Sequence, residues 1–330
     1  DSLPNSWEIE WLGVTNRLEM QLVPKKYNLV TLKVGGLQGN IFRQIFELFK
    51  LVFASIRVSI LLRQKQIDVI FTTGGYISAP SILGAKFTGV PILLHESNAI
   101  PGKVTRLLGR FCDHIALGIP SASEYLPRCK TSFTGTPVRS EFFLEHSLPS
   151  WVPSGEGILI VVMGGSQGAK KMNEMVRNVL PWLLEMGCRI VHLTGKKDCY
   201  YKNLGKVKTH PNLIVRDFSD EIPALLQNAD LAISRAGSGA ICELMTTKTP
   251  SILIPFPQST DHHQELNAAY MAKFGGAVIV NQHSPDENML KNIISQLVRS
   301  NSLNNMKLNM NNHNIINPEN KISEIMNSIS

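Results

Sequence analysis

The stretch Ile158-Leu159-Ile160-Val161-Val162-Met163-Gly164-Gly165-Ser166-Gln167-Gly168-Ala169 decides the fold class. Its uninterrupted apolar run reads as a strand covered on both faces, as in a parallel sheet, and the glycines after it open a turn into a helical pattern reaching about Met186. Outward from this unit the same alternation recurs. Strands are expected at residues 7–12, 29–34, 68–72, 91–95, 114–117 and 131–133 in the first half, and at 158–163, 189–193, 213–216, 231–234, 251–255 and 277–280 in the second, with helices between them. The pattern predicts an α/β protein with two similar open parallel sheets in tandem.

A length of 330 residues exceeds what one core usually holds, which agrees with two domains of roughly 150 residues each. Residues 141–156 collect Ser147, Pro149, Ser150, Pro153, Ser154 and Gly155 and read as a linker. The domains are therefore expected at 1–145 and 146–300, followed at 301–330 by an Asn-rich tail and short helix that could return to the first domain.

Hydrophobic residues at 43% and charged residues at 18% exclude a disordered chain. The net charge of +7 favours polyanionic partners: nucleic acid, anionic lipid or phosphorylated ligands. Five cysteines, odd in number and without C-x-x-C spacing, argue against a disulfide framework or zinc site and for a reducing compartment. Residues 1–10 have neither the basic nor the apolar region of a signal peptide. The longest apolar stretch, 51–62, is broken by Arg57 and is too short to cross about 30 Å of hydrocarbon, so any membrane contact is expected to be peripheral.

In open parallel sheets ligands bind beyond the carboxyl ends of the strands. The turn Gly164–Ala169 suits a phosphate, because its glycines clear a path to amides at a helix N-terminus. It is neither G-x-G-x-x-G nor a Walker A loop, and a tight turn without a ligand is the plain alternative. A second strand feeds Arg235-Ala236-Gly237-Ser238-Gly239-Ala240-Ile241-Cys242-Glu243. Two anion-ready helix ends in one domain suggest a diphosphate, and Glu243 could accept hydrogen bonds from both hydroxyls of a ribose; otherwise it is a charge favourable to the helix dipole.

At Pro255–Ala268, adjacent His262 and His263 diverge by about 100° on a helix, which is poor metal geometry; Asp261 is expected as N-cap, leaving Gln264 free for a ligand. In the first half, Thr73–Pro80 and His95–Gly102 follow strands, and Arg139 is placed to neutralise phosphate. Phe42, Phe46, Phe49 and Phe53 fall on one helix face beside Arg43, Lys50 and Arg57. Core packing is the expected role of that face, with docking on anionic lipid as the alternative.

Together, G-G-Y-I-S-A-P at Gly74–Pro80, H-E-S-N-A-I-P-G at His95–Gly102, G-T-P-V-R at Gly135–Arg139, G-G-S-Q-G-A at Gly164–Ala169, S-R-A-G at Ser234–Gly237 and D-H-H-Q-x-x-N-A at Asp261–Ala268 resemble the MurG family of N-acetylglucosaminyltransferases. The resemblance implies a glycosyltransferase B fold, with two Rossmann-like domains facing a cleft. It implies an inverting, metal-independent transfer of N-acetylglucosamine from UDP-N-acetylglucosamine to the C4 hydroxyl of lipid I, giving lipid II for peptidoglycan. Neither cofactor nor nucleic-acid partner is implied. The expected location is peripheral, on the cytoplasmic face of a bacterial cell membrane with an anionic surface.

By match of motif, Gly165, Ser166 and Gly168 would hold the diphosphate, Ser238, Gly239, Ala240, Ile241 and Cys242 line the nucleotide, and Glu243 takes the ribose. Gln264 and His263 would contact the sugar, and the region after Phe218 would border the uracil. Asn98 and Arg139 fall on donor-contacting positions of the first domain, while Tyr76, Ser78 and Asn98 face the acceptor. The family's G-G-T-G-G-H loop, whose histidine is a usual base candidate, has no counterpart before Trp7. The chain is thus either an incomplete gene product or catalytically impaired, and His95 is nominated as substitute base. Rival readings are a silent nucleotide-sugar-binding scaffold, or a 2-epimerase or lipid galactosyltransferase of the same fold.

Overall fold

The computed structural model describes residues 6–15, 20, 23–24, 26–32, 41–165, 168–196, 198, 207, 209–282, 287–311 and 317–330. The chain divides into two compact units, the first comprising Asp1–Thr136 with Ile316–Ser330 and the second Pro137–Ile315.

The first unit contains β1 (Glu10–Val14), β2 (Asn28–Leu32), α1 (Ile41–Gln64), β3 (Ile70–Thr72), α2 (Ser78–Thr88), β4 (Ile92–Glu96), α3 (Lys103–Leu108), β5 (His114–Leu117) and β6 (Thr131–Phe133). All its strand pairs are parallel. A single sheet was the expectation; instead β1 and β2 form a two-stranded sheet and β3-β4-β5-β6 a four-stranded one. Leu12 and Leu32 nevertheless join Ile70, Ile92, Ile115 and Leu117 in one apolar core, so side-chain packing rather than strand pairing unites them.

Helix α1 departs from its expected orientation. Its core face is Ala54, Val58 and Leu62, whereas Phe46, Phe49 and Phe53 are exposed, the last two by 61% and 70%. The cause lies on α2. Gly84 has no side chain, which lets α1 approach so closely that a Cβ there would sit 2.8 Å from Val58 Cγ1 and 2.9 Å from the Ser55 carbonyl. Ser59 Oγ also donates to the Gly84 carbonyl at 3.1 Å. Small residues thus take the buried side, and the phenylalanines face outward. The side chain of Phe42 lies outside the described residues.

The second unit runs β7 (Leu159–Met163), α4 (Lys170–Glu185), β8 (Arg189–Leu193), β9 (Leu213–Arg216), α5 (Ile222–Asn228), β10 (Leu231–Ser234), α6 (Ser238–Thr247), β11 (Ser251–Leu253), α7 (His263–Lys273), β12 (Ala277–Ile279), α8 (Glu287–Arg299) and α9 (Ser302–Asn311). Its six parallel strands are ordered β12-β11-β10-β7-β8-β9. The chain lays strands outward from β7, then returns to β10 on its other side. That reversal between β7 and β10 is the topological switch point of a Rossmann-like sheet. Every residue of β7 is buried, and α4 covers it with Met172, Val176, Val179, Leu180 and Leu183.

Residues 137–156 are not a free linker, and the boundary lies at 136/137 rather than 145/146. Phe142 and Val152 are buried in the second unit's core. Gln227 Nε2 donates to the Phe142 and Leu144 carbonyls at 3.2 and 2.7 Å. The serines and prolines that suggested flexibility instead shape a strap held by buried anchors. Beyond residue 300, α9 stays with the second unit through Met306 and Met310. The last helix, α10 (Pro318–Ile329), packs Ile322 and Met326 against Leu93 and Ala116 of the first unit.

Candidate functional site

Met163 at the end of β7 pairs in register with Ser234 at the end of β10, so the two glycine turns leave the sheet side by side at the switch point. After β7, Gly165 and Gly168 have φ of +82° and +79°, and the Gly168 N–H donates to the Gly165 carbonyl at 2.9 Å. Ser166 and Gln167 lie outside the described residues. After β10, Gly237 occupies the N-cap of α6. The N-cap residues, Ala169 of α4 and Gly237 of α6, make no side-chain cap hydrogen bond. Helix N-termini built this way leave N–H groups for an anion.

The turn after β7 rests on a buried polar cluster. Asn173 Nδ2 donates to the Thr194 carbonyl at 3.0 Å and to Asp198 Oδ2 at 2.6 Å, and His192 Nε2 meets Asn173 Oδ1 at 3.1 Å. Arg177 pairs with the same Asp198 oxygen at 3.0 Å. Burial, reinforced by the Arg177 charge, pulls the His192 pKa down to about 3, so the ring is neutral and donates to the amide oxygen. A Cβ on Gly195 would run into the backbone of Gly168, so the loop after β8 serves as the turn's backing.

Around α6, Arg235 is buried and donates to the Ile254 and Pro255 carbonyls at 2.9 and 3.0 Å. Burial lowers its pKa to about 10, which still leaves it cationic at neutral pH. Asn267, fully buried on α7, donates to the Ala236 carbonyl at 3.1 Å. Together they tie the turn after β10 to the loop after β11. Glu243, Ser238, Gly239, Ala240, Ile241 and Cys242 all lie on α6; Ile241 is buried, whereas Gly239 is exposed. The Glu243 carboxyl is half-buried, and burial raises its pKa while the Arg139 charge opposes the rise.

Several expectations change here. Arg139 belongs to the second unit, not the first, and sits over Phe142 with its charge felt at Glu243. Asp261 is not the N-cap of α7: His262 holds that position, and both residues adopt φ above +50°. Gln264 is not wholly free, because its Oε1 accepts from the Phe256 N–H at 2.9 Å, folding the loop after β11 against α7. His263 is partly buried at the start of that helix.

In the first unit, His95 is 3% exposed and its Nε2 donates to the Gly135 carbonyl at 3.0 Å. Burial lowers its pKa. This geometry makes it a tie between the loops after β4 and β6 rather than a base able to reach a bulky substrate. Ser78 is likewise fully buried, 2.7 Å from Thr72 Oγ1, and cannot face an acceptor. Tyr76 is half-exposed after Gly74 and Gly75, both at φ +82°. Asn98 remains at the strand end, partly buried, with Nδ2 donating to Glu96 at 3.3 Å.

Glu96, Arg235 and Asn267 lie within motifs that the sequence reading left without an individual role for them, and Asn173 lies in none of those motifs. Asn267 had a signal: it stands one helical turn after Gln264 on the face that meets the turn. Among the described residues no cluster of three or more His, Cys, Asp or Glu is arranged to hold a metal, and no helix is long and apolar enough to cross a membrane.

Comparison with known proteins places the chain among sugar transferases. Residues 4–117 match the glycosyltransferase family 28 N-terminal domain and residues 159–325 its C-terminal domain. A UDP-N-acetylglucosamine--N-acetylmuramyl-(pentapeptide) pyrophosphoryl-undecaprenol N-acetylglucosamine transferase of Prochlorococcus marinus (strain NATL1A) is 77% identical over 100% of this chain and 94% of its own length. Its counterpart in strain NATL2A is 78% identical with the same coverage. The crystal structure of Acinetobacter baumannii MurG superposes with a TM-score of 0.79 at 23% identity, covering 97% of this chain and 91% of that one, a likeness of fold. The comparisons give the scaffold and other-enzyme readings no support.

Proposed function

The chain belongs to glycosyltransferase family 28, and from that premise we propose that it transfers N-acetylglucosamine from UDP-N-acetylglucosamine to the C4 hydroxyl of the N-acetylmuramyl unit of lipid I, forming lipid II. The second unit holds the donor and the first the lipid acceptor. One observation supports this reading: the strands that feed the glycine turns into α4 and α6 end side by side at the switch point of the second unit, with the half-buried carboxyl of Glu243 on α6. Backbone amides from both turns bind the pyrophosphate, and Glu243 accepts from the ribose hydroxyls. His263 and Gln264 meet the sugar, the latter through its amide nitrogen, and Arg139 adds positive charge at the nucleotide.

The acceptor oxygen forms its bond to the anomeric carbon as the bond from that carbon to the diphosphate oxygen breaks, and the hydroxyl proton passes to a base. Attack from the face opposite UDP inverts the centre. The amide dipoles and Arg139 stabilise the charge growing on the departing diphosphate, a role a divalent cation otherwise fills. His95, bonded to Gly135, is not assigned as that base.

The exposed stripe Phe46, Phe49, Phe53, Ile56 and Ile60 on α1, with Lys50 and Arg57 beside it, supports peripheral docking on anionic lipid of the cytoplasmic leaflet. The direct test is transfer of labelled sugar from UDP-N-acetylglucosamine to a lipid I analogue in the presence of a chelator. Turnover undiminished by the chelator is expected; dependence on an added divalent ion would contradict the metal-free mechanism.

A further inference from the structure

Glu96 ends β4 and is 6% exposed, a poor place for a carboxylate unless its oxygens are satisfied. All the donors it uses come from one short stretch. Oε1 accepts from the Asn98 N–H at 3.2 Å and from Asn98 Nδ2 at 3.3 Å. Oε2 accepts from the Gly102 N–H at 2.9 Å and from Thr105 Oγ1 at 2.9 Å. A carboxylate offers about four acceptor positions, and here each is used. The backbone of the same residue is fixed as well, since its carbonyl accepts from the Gly118 N–H at 2.7 Å. The neighbouring His95 tie to Gly135 holds the strand end from the other side.

This arrangement turns the chain sharply after β4. It carries the loop around a single buried anion into α3, and it holds the Asn98 amide in one orientation. We infer that Glu96 is a positioning residue, which sets the Asn98 amide and the loop 97–102 for the sugar substrates at the first unit. The inference rests on the proposed role of Asn98 in substrate contact. An isosteric amide cannot replace the carboxylate. Glu96→Gln offers one acceptor oxygen and one donor group, so either the Asn98 pair or the Gly102 N–H faces a donor instead of an acceptor.

The test is a double-mutant cycle on transfer to a lipid I analogue, using Glu96→Gln, Asn98→Ala and the pair, with UDP titrated calorimetrically in each. Each single substitution is expected to lower kcat at least about tenfold, with UDP affinity within about twofold of the parent. The pair is expected to be within about twofold of the worse single, because the second change removes nothing the first has left in place. A residue that only stabilises the fold would give effects that multiply. If Asn98→Ala alone leaves turnover unchanged, the reading of Asn98 fails and this inference with it. If Asn98→Ala impairs turnover but the two effects multiply, the reading stands and the role of Glu96 is overturned. Thr105→Val, which removes one of the four bonds, carries the same cycle should Glu96→Gln not fold; a loss of about threefold, absent in the Asn98→Ala background, is its expected result.

Discussion

The loop ends of the two units are built by opposite means. At the ends of β3 and β4 in the first unit, polar side chains turn inward: Ser78, His95 and Glu96 are buried and bonded within the protein. After β7 and β10 in the second unit, side chains retreat and glycine backbones come forward, while the buried polar residues Asn173, His192 and Arg235 sit behind them as supports. A conspicuous polar motif can therefore mark a scaffold, whereas the proposed donor site lies at glycine turns with few polar side chains of their own.

The sharpest way to break this contrast is to disturb the backing of a glycine turn. Gly195→Ala puts a Cβ against the Gly168 backbone at a residue with φ of +80°, and should cost about 2–4 kcal/mol of stability and abolish measurable UDP binding. Thermal unfolding and calorimetry check both. Next in size is the acid limb of stability. The His192 pKa of about 3 in the folded state lies below the ordinary 6.5, so the native state binds fewer protons. The stability this contributes is full above pH 6.5 and is lost as pH falls towards 3. His192→Gln, which keeps a donor for Asn173, should flatten that loss, read as a shallower fall of unfolding free energy with acid in denaturant titrations across the range.

Glu243→Ala should weaken UDP by about 1–3 kcal/mol, or roughly 5- to 150-fold in Kd, without comparable loss of fold. His95→Gln sharpens the first-unit side of the contrast. The amide can still donate to Gly135, so kcat should stay within about fivefold, whereas removing a general base costs about 100-fold or more. The smallest effect on stability is expected at the α1 stripe. Phe49→Asp with Phe53→Asp should change the unfolding free energy by no more than about 0.5 kcal/mol, yet abolish sedimentation with anionic vesicles. Retained sedimentation would assign membrane contact elsewhere.

The strands were legible because a parallel sheet needs continuous apolar runs: β5, β6, β8, β9 and β10 lie at their expected bounds, and β7 begins one residue later. The glycine turns were legible because a positive φ leaves few alternatives to glycine. What stayed hidden depends on partners distant in sequence. Which face of α1 is buried was set by Gly84 on another helix, and the strap 137–156 was fixed by Gln227. His95 looks like a base until Gly135, far along the chain, supplies its carbonyl. Local composition reports what a segment prefers; it does not report which neighbour will satisfy it.

The claim on which most depends is that the second unit holds the pyrophosphate of the nucleotide sugar through backbone amides, without a cation. A crystal structure with UDP-N-acetylglucosamine in metal-free buffer tests it most directly. The expected result is a pyrophosphate against the Gly165–Gly168 turn and the start of α6, with the ribose on Glu243. A nucleotide bound away from both turns, or phosphates bridged by an ion once one is supplied, would contradict the account.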